Sequence, residues 1–228
     1  MLSEQEALQI LISAGAIITS SHIVYTSGKH GSAYVNKDAV YPHTCRTSEL
    51  CRAIAERVVD EGVYVDTVVA PAVGGVILSQ WIAYHLTLLT GCEVMGVYAE
   101  KEKMSIPDPE NLGRKCYYET GEFVIQRGYD RFVRGKNVLV GEDILNTGGS
   151  AKKVVEAVRR IGGDVVAVAA LCNRGGVLKE DIGDPPYLYT LANVKLDAWD
   201  EADCPLCISN IPINIDVGKG REFLAREQ

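Results

Sequence analysis

The chain has 228 residues, 47% hydrophobic and 23% charged, the balance of a folded globular protein rather than a disordered one. Its formal charge of −7 excludes the broad basic surface that drives sequence-independent binding to nucleic acid. The longest apolar run, around residues 165–172, is far short of the ~20 residues of a membrane span.

Residues 3–16 carry Leu8, Ile10, Leu11 and Ile12 at helical spacing, and Ser3 with Glu6 has the spacing of a capping box. The same stretch has early acids and no basic start, unlike a secretory signal. A turn-rich segment, IVYTSGKHGSAYVNKD, follows and reads as stranded. Residues 48–61 predict a second amphipathic helix closed by Gly62. Residues 67–73 form a short apolar strand, and Gly74-Gly75 open a third helix to about Leu89. After a strand at 93–99, residues 101–121 are polar, contain Pro107 and Pro109, and predict a long, flexible loop. Strands at 122–125 and 137–140, a helix at 149–161 and an apolar strand at 164–173 come next. From Leu188 there is one more strand and an irregular acidic tail. Apolar strands alternating with helices predict a single α/β domain with a parallel sheet covered on both faces. Seven cysteines without a regular framework point to a reduced, cytoplasmic protein.

The most informative run is VLVGEDILNTGGS, residues 138–150. A buried strand leads into Glu142 and Asp143, then two apolar residues, then Asn146, Thr147, Gly148, Gly149 and Ser150 before a helix. Ligands of parallel sheets bind at the carboxyl ends of strands. A glycine-bearing loop there lets backbone amides approach a phosphate, and the next helix points its positive end at the same anion. Thr147 and Ser150 add hydroxyl donors, while Glu142 and Asp143 can accept from sugar hydroxyls, which suits a ribose 5-phosphate. Two acids after a strand also serve to hold magnesium or cap a helix. The loop is neither a Walker-type P-loop nor GxGxxG.

This run resembles the phosphoribosyl-diphosphate signature of type I phosphoribosyltransferases, with Asn146 where members usually carry Ser or Thr. From about residue 7 to residue 220 the chain is similar to the orotate phosphoribosyltransferases. The resemblance implies the type I fold: a core at about 46–187, and a hood made by residues 1–45 and the C-terminal tail. It also implies transfer of phosphoribosyl from phosphoribosyl diphosphate to orotate, with Mg2+ held mainly by diphosphate and water, in a homodimer. YTSGKHGSAYVN resembles the hood over the base, which would place Thr26, Ser27, Gly28, Lys29 and Tyr34 around orotate; some members have lysine where Thr26 stands. Without the resemblance this stretch reads as a β-hairpin with a Gly turn. VVAPAVGGVILSQWIAYHL resembles the pyrophosphate loop, assigning Ala72, Val73, Gly74 and Gly75 to the diphosphate.

In YAEKEK, Lys101 matches the family's catalytic-loop lysine, and Lys103 stands one position from the usual second lysine. A solvated charge run is the competing reading. Arg114 and Lys115 are further candidates for the diphosphate, and Arg127 for orienting the strand pair. LCNRG resembles the family's segment whose arginine meets orotate, which implies that Arg174 binds the base; its planar fork suits a carboxylate or a carbonyl, and a surface arginine is the plain alternative. By the same resemblance Glu142 and Asp143 join Lys101 as the catalytic set. Rival readings are transfer to another nucleobase, or a non-catalytic sensor of phosphoribosyl diphosphate. Cys204 and Cys207 have metal-ligand spacing, but zinc needs about four ligands. Cys45, Cys51 or His43 would complete the set only if folding brought them near; a disulfide or an inert pair are the other readings.

Overall fold

The computed structural model describes residues 2–107 and 114–226. In chain order the main elements are α1 (Glu4–Ser13), four two-residue strands β1 (Ile17–Ile18), β2 (Ile23–Val24), β3 (His30–Gly31) and β4 (Tyr34–Val35), then α2 (Thr44–Asp60), β5 (Thr67–Pro71) and α3 (Gly75–Thr90). They continue with β6 (Met95–Pro107), β7 (Lys115–Val124), β8 (Asn137–Leu145), α4 (Gly149–Arg160), β9 (Asp164–Asn173), β10 (Tyr187–Asn193), α5 (Pro205–Ile208) and α6 (Gly220–Leu224). α1 starts at the expected capping box: the Ser3 hydroxyl accepts from the Glu6 amide, and the Glu6 carboxylate accepts from the Ser3 amide at 2.8 Å. No helix among the described residues is long and apolar enough to cross a membrane.

Six strands form one sheet in the order β10-β9-β8-β5-β6-β7, parallel except for β7. Every residue of β5 is buried, because helices cover both faces and leave no side to face water. One layer packs α2 and α3 on the sheet through Leu50, Ile54, Leu78 and Ile82, with α1 alongside; the other packs α4 through Val154, Val155 and Val158. The N-terminal segment, the expected hood, holds the antiparallel pairs β1–β4 and β2–β3. The C-terminal tail closes on it through bridges from His22 to Ile213 and from His30 to Trp199.

Where a loop is expected at 101–121, the described residues 101–107 and 115–121 are instead paired strands. β6 continues to Pro107 and pairs antiparallel with β7 from Glu100↔Val124 to Pro107↔Lys115, with a bulge between Lys101 and Lys103. Apart from the half-buried Glu102 and Thr120, residues 101–107 and 115–121 are exposed, so neither strand carries the alternation that burial on one face imposes. Pro109 lies outside the described residues. β8 also outruns its expected end and reaches Leu145, pairing Glu142 with Ala170 and Ile144 with Cys172 of β9. The two acids therefore sit within the strand rather than just after it.

Candidate active site

The carboxyl ends of β5, β8 and β9 open into a cleft of about 360 Å³ whose lining includes Val35, Lys37, residues 71–75, Lys101, Phe123, residues 142–144, Asn146, Ser150 and Arg174. A larger concavity of about 640 Å³ lies along α1, away from those strand ends and without a converging set of charged groups.

Asp143 is the best-held group in the cleft. Its Oδ2 accepts from Lys37 Nζ at 3.0 Å and from Tyr41 Oη at 2.9 Å, and its Oδ1 accepts from the Ile144 amide at 2.7 Å. Glu142 is 5% exposed and accepts from the Asp143 amide at 3.0 Å. Burial, reinforced by the negative charge of Asp143, pushes the Glu142 carboxyl up to about 8. Burial and the same carboxylate push the Tyr41 phenol far up as well. Burial alone would lower Lys37, but the attraction of Asp143 outweighs it and holds the ammonium above its ordinary value.

Two glycines set how closely the loops approach. A Cβ at Gly74 would stand 2.7 Å from Asp143 Oδ2 and 3.0 Å from Lys37 Nζ, so residues 72–75 reach the acids only because position 74 lacks a side chain. A Cβ at Gly175 would collide with the Asn146 carbonyl. The Arg174 and Gly175 amides both donate to the Leu145 carbonyl, at 2.8 and 3.1 Å, which ties the end of β9 to the loop after β8. Beyond them the Asn173 side chain clamps Val177 with two hydrogen bonds of 2.9 and 3.0 Å. Thr147, Gly148 and Gly149 form the turn into α4, with Gly148 at φ 76° as the N-cap residue. The starts of α3 and α4 thus face one cleft, each with first-turn amides that the helix does not use.

Lys101 lines the cleft and pairs across the hairpin with Glu119 at 2.9 Å. Lys103 lines an adjoining hollow with Glu100 and Arg127, which shares Ala72, Val73 and Lys101 with the cleft. Arg127 grips Glu100 with two bonds of 2.9 and 2.8 Å, joining the segment after β7 to β6. Arg114 and Lys115 sit exposed toward the far end of the arm. Thr26, Ser27, Gly28 and Lys29 form the turn of the β2–β3 hairpin, with Gly28 at φ 82° and Lys29 paired to Asp200 at 3.1 Å. Neither they nor Tyr34 line the cleft. Tyr25, at the edge of the same turn, senses the charge of Arg174, which partly offsets the upward push of burial on its phenol. Cys45, Cys51 and His43 do not join Cys204 and Cys207; His22 and His30 do. Lys37, Tyr41, His22 and His30 escaped the reading of the sequence, since no local spacing links them to Asp143 or to the cysteines.

A cleft with two helix starts, paired buried acids and three cationic side chains defines a site for an anionic substrate that also bears hydroxyls. Residues 44–187 match the family model of the phosphoribosyl transferase domain. The chain is 31% identical over 211 residues to an orotate phosphoribosyltransferase of Desulforamulus reducens, covering 92% of this chain and 95% of that one. It is 32% identical over 220 residues to that of Phenylobacterium zucineum, covering 96% and 98%. Among solved structures it is similar in fold to the orotate phosphoribosyltransferase of Mycobacterium tuberculosis H37Rv in complex with 5-phospho-α-D-ribosyl 1-diphosphate, with a TM-score of 0.53, 20% identity and coverage of 82% and 95%. The chain belongs to the phosphoribosyl transferase domain family, among the orotate phosphoribosyltransferases.

Proposed function

We propose that this chain transfers the phosphoribosyl group of 5-phosphoribosyl 1-diphosphate to orotate, giving orotidine 5′-monophosphate and pyrophosphate. The observation that carries the reading is the meeting of residues 72–75, the acids Glu142 and Asp143, Asn146 and Ser150 at the two ends of the loop at 146–150, and Arg174 in one cleft. That is one anion site on each side of a hydroxyl acceptor, with a planar cation for a carboxylate.

In this reading the loop at 146–150 holds the 5-phosphate, through amides and the Thr147 and Ser150 hydroxyls. Glu142 and Asp143 accept from the ribose hydroxyls and fix the sugar. As the anomeric C–O bond breaks, positive charge builds on the ribose and negative charge on the departing diphosphate. Residues 72–75 and Lys101 face that departing group, so charge stabilisation by prearranged donors does the work that a nucleophile does elsewhere. Lys101 exchanges Glu119 for the diphosphate, and Lys103 stands behind it. Arg174 orients orotate, and the hood turn at Thr26, Ser27, Gly28 and Lys29, with Tyr34, closes over the base and keeps water from the activated sugar.

The acids lining the cleft are Glu142 and Asp143, and Asp143 is already satisfied by Lys37, Tyr41 and the Ile144 amide. A magnesium ion takes near-octahedral oxygen and would draw most of it from diphosphate and water, which fits this donor set. When bound it supplies positive charge to the leaving diphosphate. A homodimer belongs to the same reading: Met104, Ile106, Tyr117 and Tyr118 expose apolar surface on the β6–β7 arm that a second copy would cover.

The test is a base panel. Protein, magnesium and phosphoribosyl diphosphate are mixed with orotate, uracil, adenine, hypoxanthine, guanine or xanthine, and pyrophosphate release is followed. Release with orotate alone supports the reading. Release with another base removes the role given to Arg174 and the hood, and silence with every base removes the transferase.

A further inference from the structure

We propose that His22, His30, Cys204 and Cys207 bind a structural zinc ion that locks the C-terminal tail onto the base of the hood. One ligand atom from each of the four residues lies within 4.8 Å of all the others. His22 Nε2 is 2.9 Å from His30 Nδ1, 3.7 Å from Cys204 Sγ and 3.6 Å from Cys207 Sγ, and Cys207 Sγ is 3.3 Å from His30 Nδ1. Tetrahedral zinc, with bonds of about 2.0 Å to nitrogen and 2.3 Å to sulfur, sets ligand atoms roughly 3.3–3.8 Å apart. These three sulfur–nitrogen spacings match that, and the nitrogen pair needs to open only slightly.

The orientation of the two rings also points to a cation. His22 Nδ1 lies 2.7 Å from the Ile211 carbonyl, an acceptor, so that nitrogen donates outward and turns Nε2 toward the cluster. A backbone carbonyl fixing the far nitrogen of a histidine is the support that metal-bound imidazoles use. His30 turns Nδ1 into the cluster, while its Nε2 is buried without a hydrogen-bond partner and the ring packs edge-on against Phe223 at 5.0 Å. His22 is 2% exposed, and His30 and Cys204 are fully buried. Two thiolates and Zn2+ sum to zero charge, so the ion neutralises what would otherwise be costly to bury; binding releases the thiol protons to solvent.

The sequence prepares this convergence from both ends. Cys204 caps α5 with Pro205 in its first turn, which brings Cys207 round to the same side. His22 directly precedes β2 and His30 opens β3, on either side of the turn at Thr26–Lys29. Each is also stitched to the tail by its backbone: Asn214 N donates to the His22 carbonyl at 2.7 Å, and His30 and Trp199 exchange two bonds of 2.8 Å. Four protein ligands leave no open position, so the ion is structural rather than catalytic. Its work is to hold the hairpin turn against a tail more than 170 residues away in sequence. The inference stands on this cluster alone and does not depend on the transferase reading.

The full-length protein, purified without added metal or chelator, is assayed for zinc by mass spectrometry of the elements, and a cobalt-substituted sample is examined by absorption. The expected result is close to one zinc per chain and the visible bands of tetrahedral cobalt, with a thiolate charge-transfer band. Cys204→Ser and Cys207→Ser should each lose the metal or hold it at least tenfold more weakly, whereas Cys45→Ser, at an exposed site outside the cluster, should retain it. If the cysteine variants fail to fold, the cobalt spectrum of the unaltered protein decides. Protein that is free of zinc and binds neither zinc nor cobalt overturns the proposal. So does a Cys204–Cys207 disulfide in protein prepared under reducing conditions, or metal retained equally in Cys204→Ser.

Discussion

Lys37 and Asp143 stand 106 residues apart in the chain, and their charged atoms lie 3.0 Å apart at the floor of the cleft. Tyr41, one turn beyond Lys37, donates to the same carboxylate oxygen at 2.9 Å. The N-terminal segment therefore does more than build the hood. It reaches the loop at residues 72–75 and adds two side-chain donors to an acid that β8 itself holds only through the Ile144 amide.

Lys37→Met should cut turnover by about one to two orders of magnitude, the equivalent of one charge-assisted hydrogen bond of ~1.5–3 kcal/mol. The melting temperature should fall only modestly, because the lysine side chain is 45% exposed and the buried Asp143 carboxylate keeps its Tyr41 and Ile144 donors. Steady-state kinetics with a thermal melt checks both halves. A stability loss that matches the activity loss would make Lys37 a merely structural residue.

Gly74→Ala tests the close approach directly. Gly74 has φ −57° and ψ −43°, a conformation alanine adopts without strain, so any penalty comes from the methyl group meeting Asp143 and Lys37. Turnover should fall at least about tenfold, with the fold intact by circular dichroism. Full activity would mean that the two loops separate when substrate binds.

Glu142 gives the chain a pH signature. Its carboxyl rises from 4.5 to about 8 on folding, so between those values the folded chain holds a proton that the unfolded chain has released. Stability must then fall as pH rises through that window. Glu142→Gln, which keeps shape but cannot ionise, should melt progressively higher than the unaltered protein as pH goes from about 5 to about 8. One kcal/mol corresponds to roughly 2–4 °C in a chain of this size. A difference in melting temperature that does not change with pH would contradict the assignment.

Lys101→Ala should lower kcat more than it raises the KM for phosphoribosyl diphosphate, because in the proposed reading its contact forms as the diphosphate departs. The pair with Glu119 is half exposed on both sides, so the melting temperature should hold. A change confined to KM would instead make Lys101 a ground-state contact.

What the sequence disclosed follows from where each signal lives. β9 is a run of apolar residues buried on both faces, and its bounds match the expectation at 164–173; α1 announces itself through Ser3 and Glu6. The loop at 146–150 was legible because glycine, hydroxyls and acids fall within one short strand–turn–helix run. The β6–β7 arm was not, since strands exposed on both sides leave no periodicity to find. Lys37 and Tyr41, and likewise His22 and His30, carry ordinary polar chemistry whose partners lie more than 100 residues away. Only the closed hood brings them together, and no spacing in the chain encodes that closure.

The most direct test of the central claim is to follow the product itself. The protein is incubated with magnesium, phosphoribosyl diphosphate and orotate, and orotidine 5′-monophosphate is quantified by mass spectrometry beside pyrophosphate, for the unaltered chain and for Asp143→Asn. The account predicts nucleotide and pyrophosphate in equal amounts from the unaltered chain, and a rate lowered about a hundredfold or more in a variant that still folds. Pyrophosphate without the nucleotide, or an Asp143→Asn variant as fast as the unaltered chain, would contradict it.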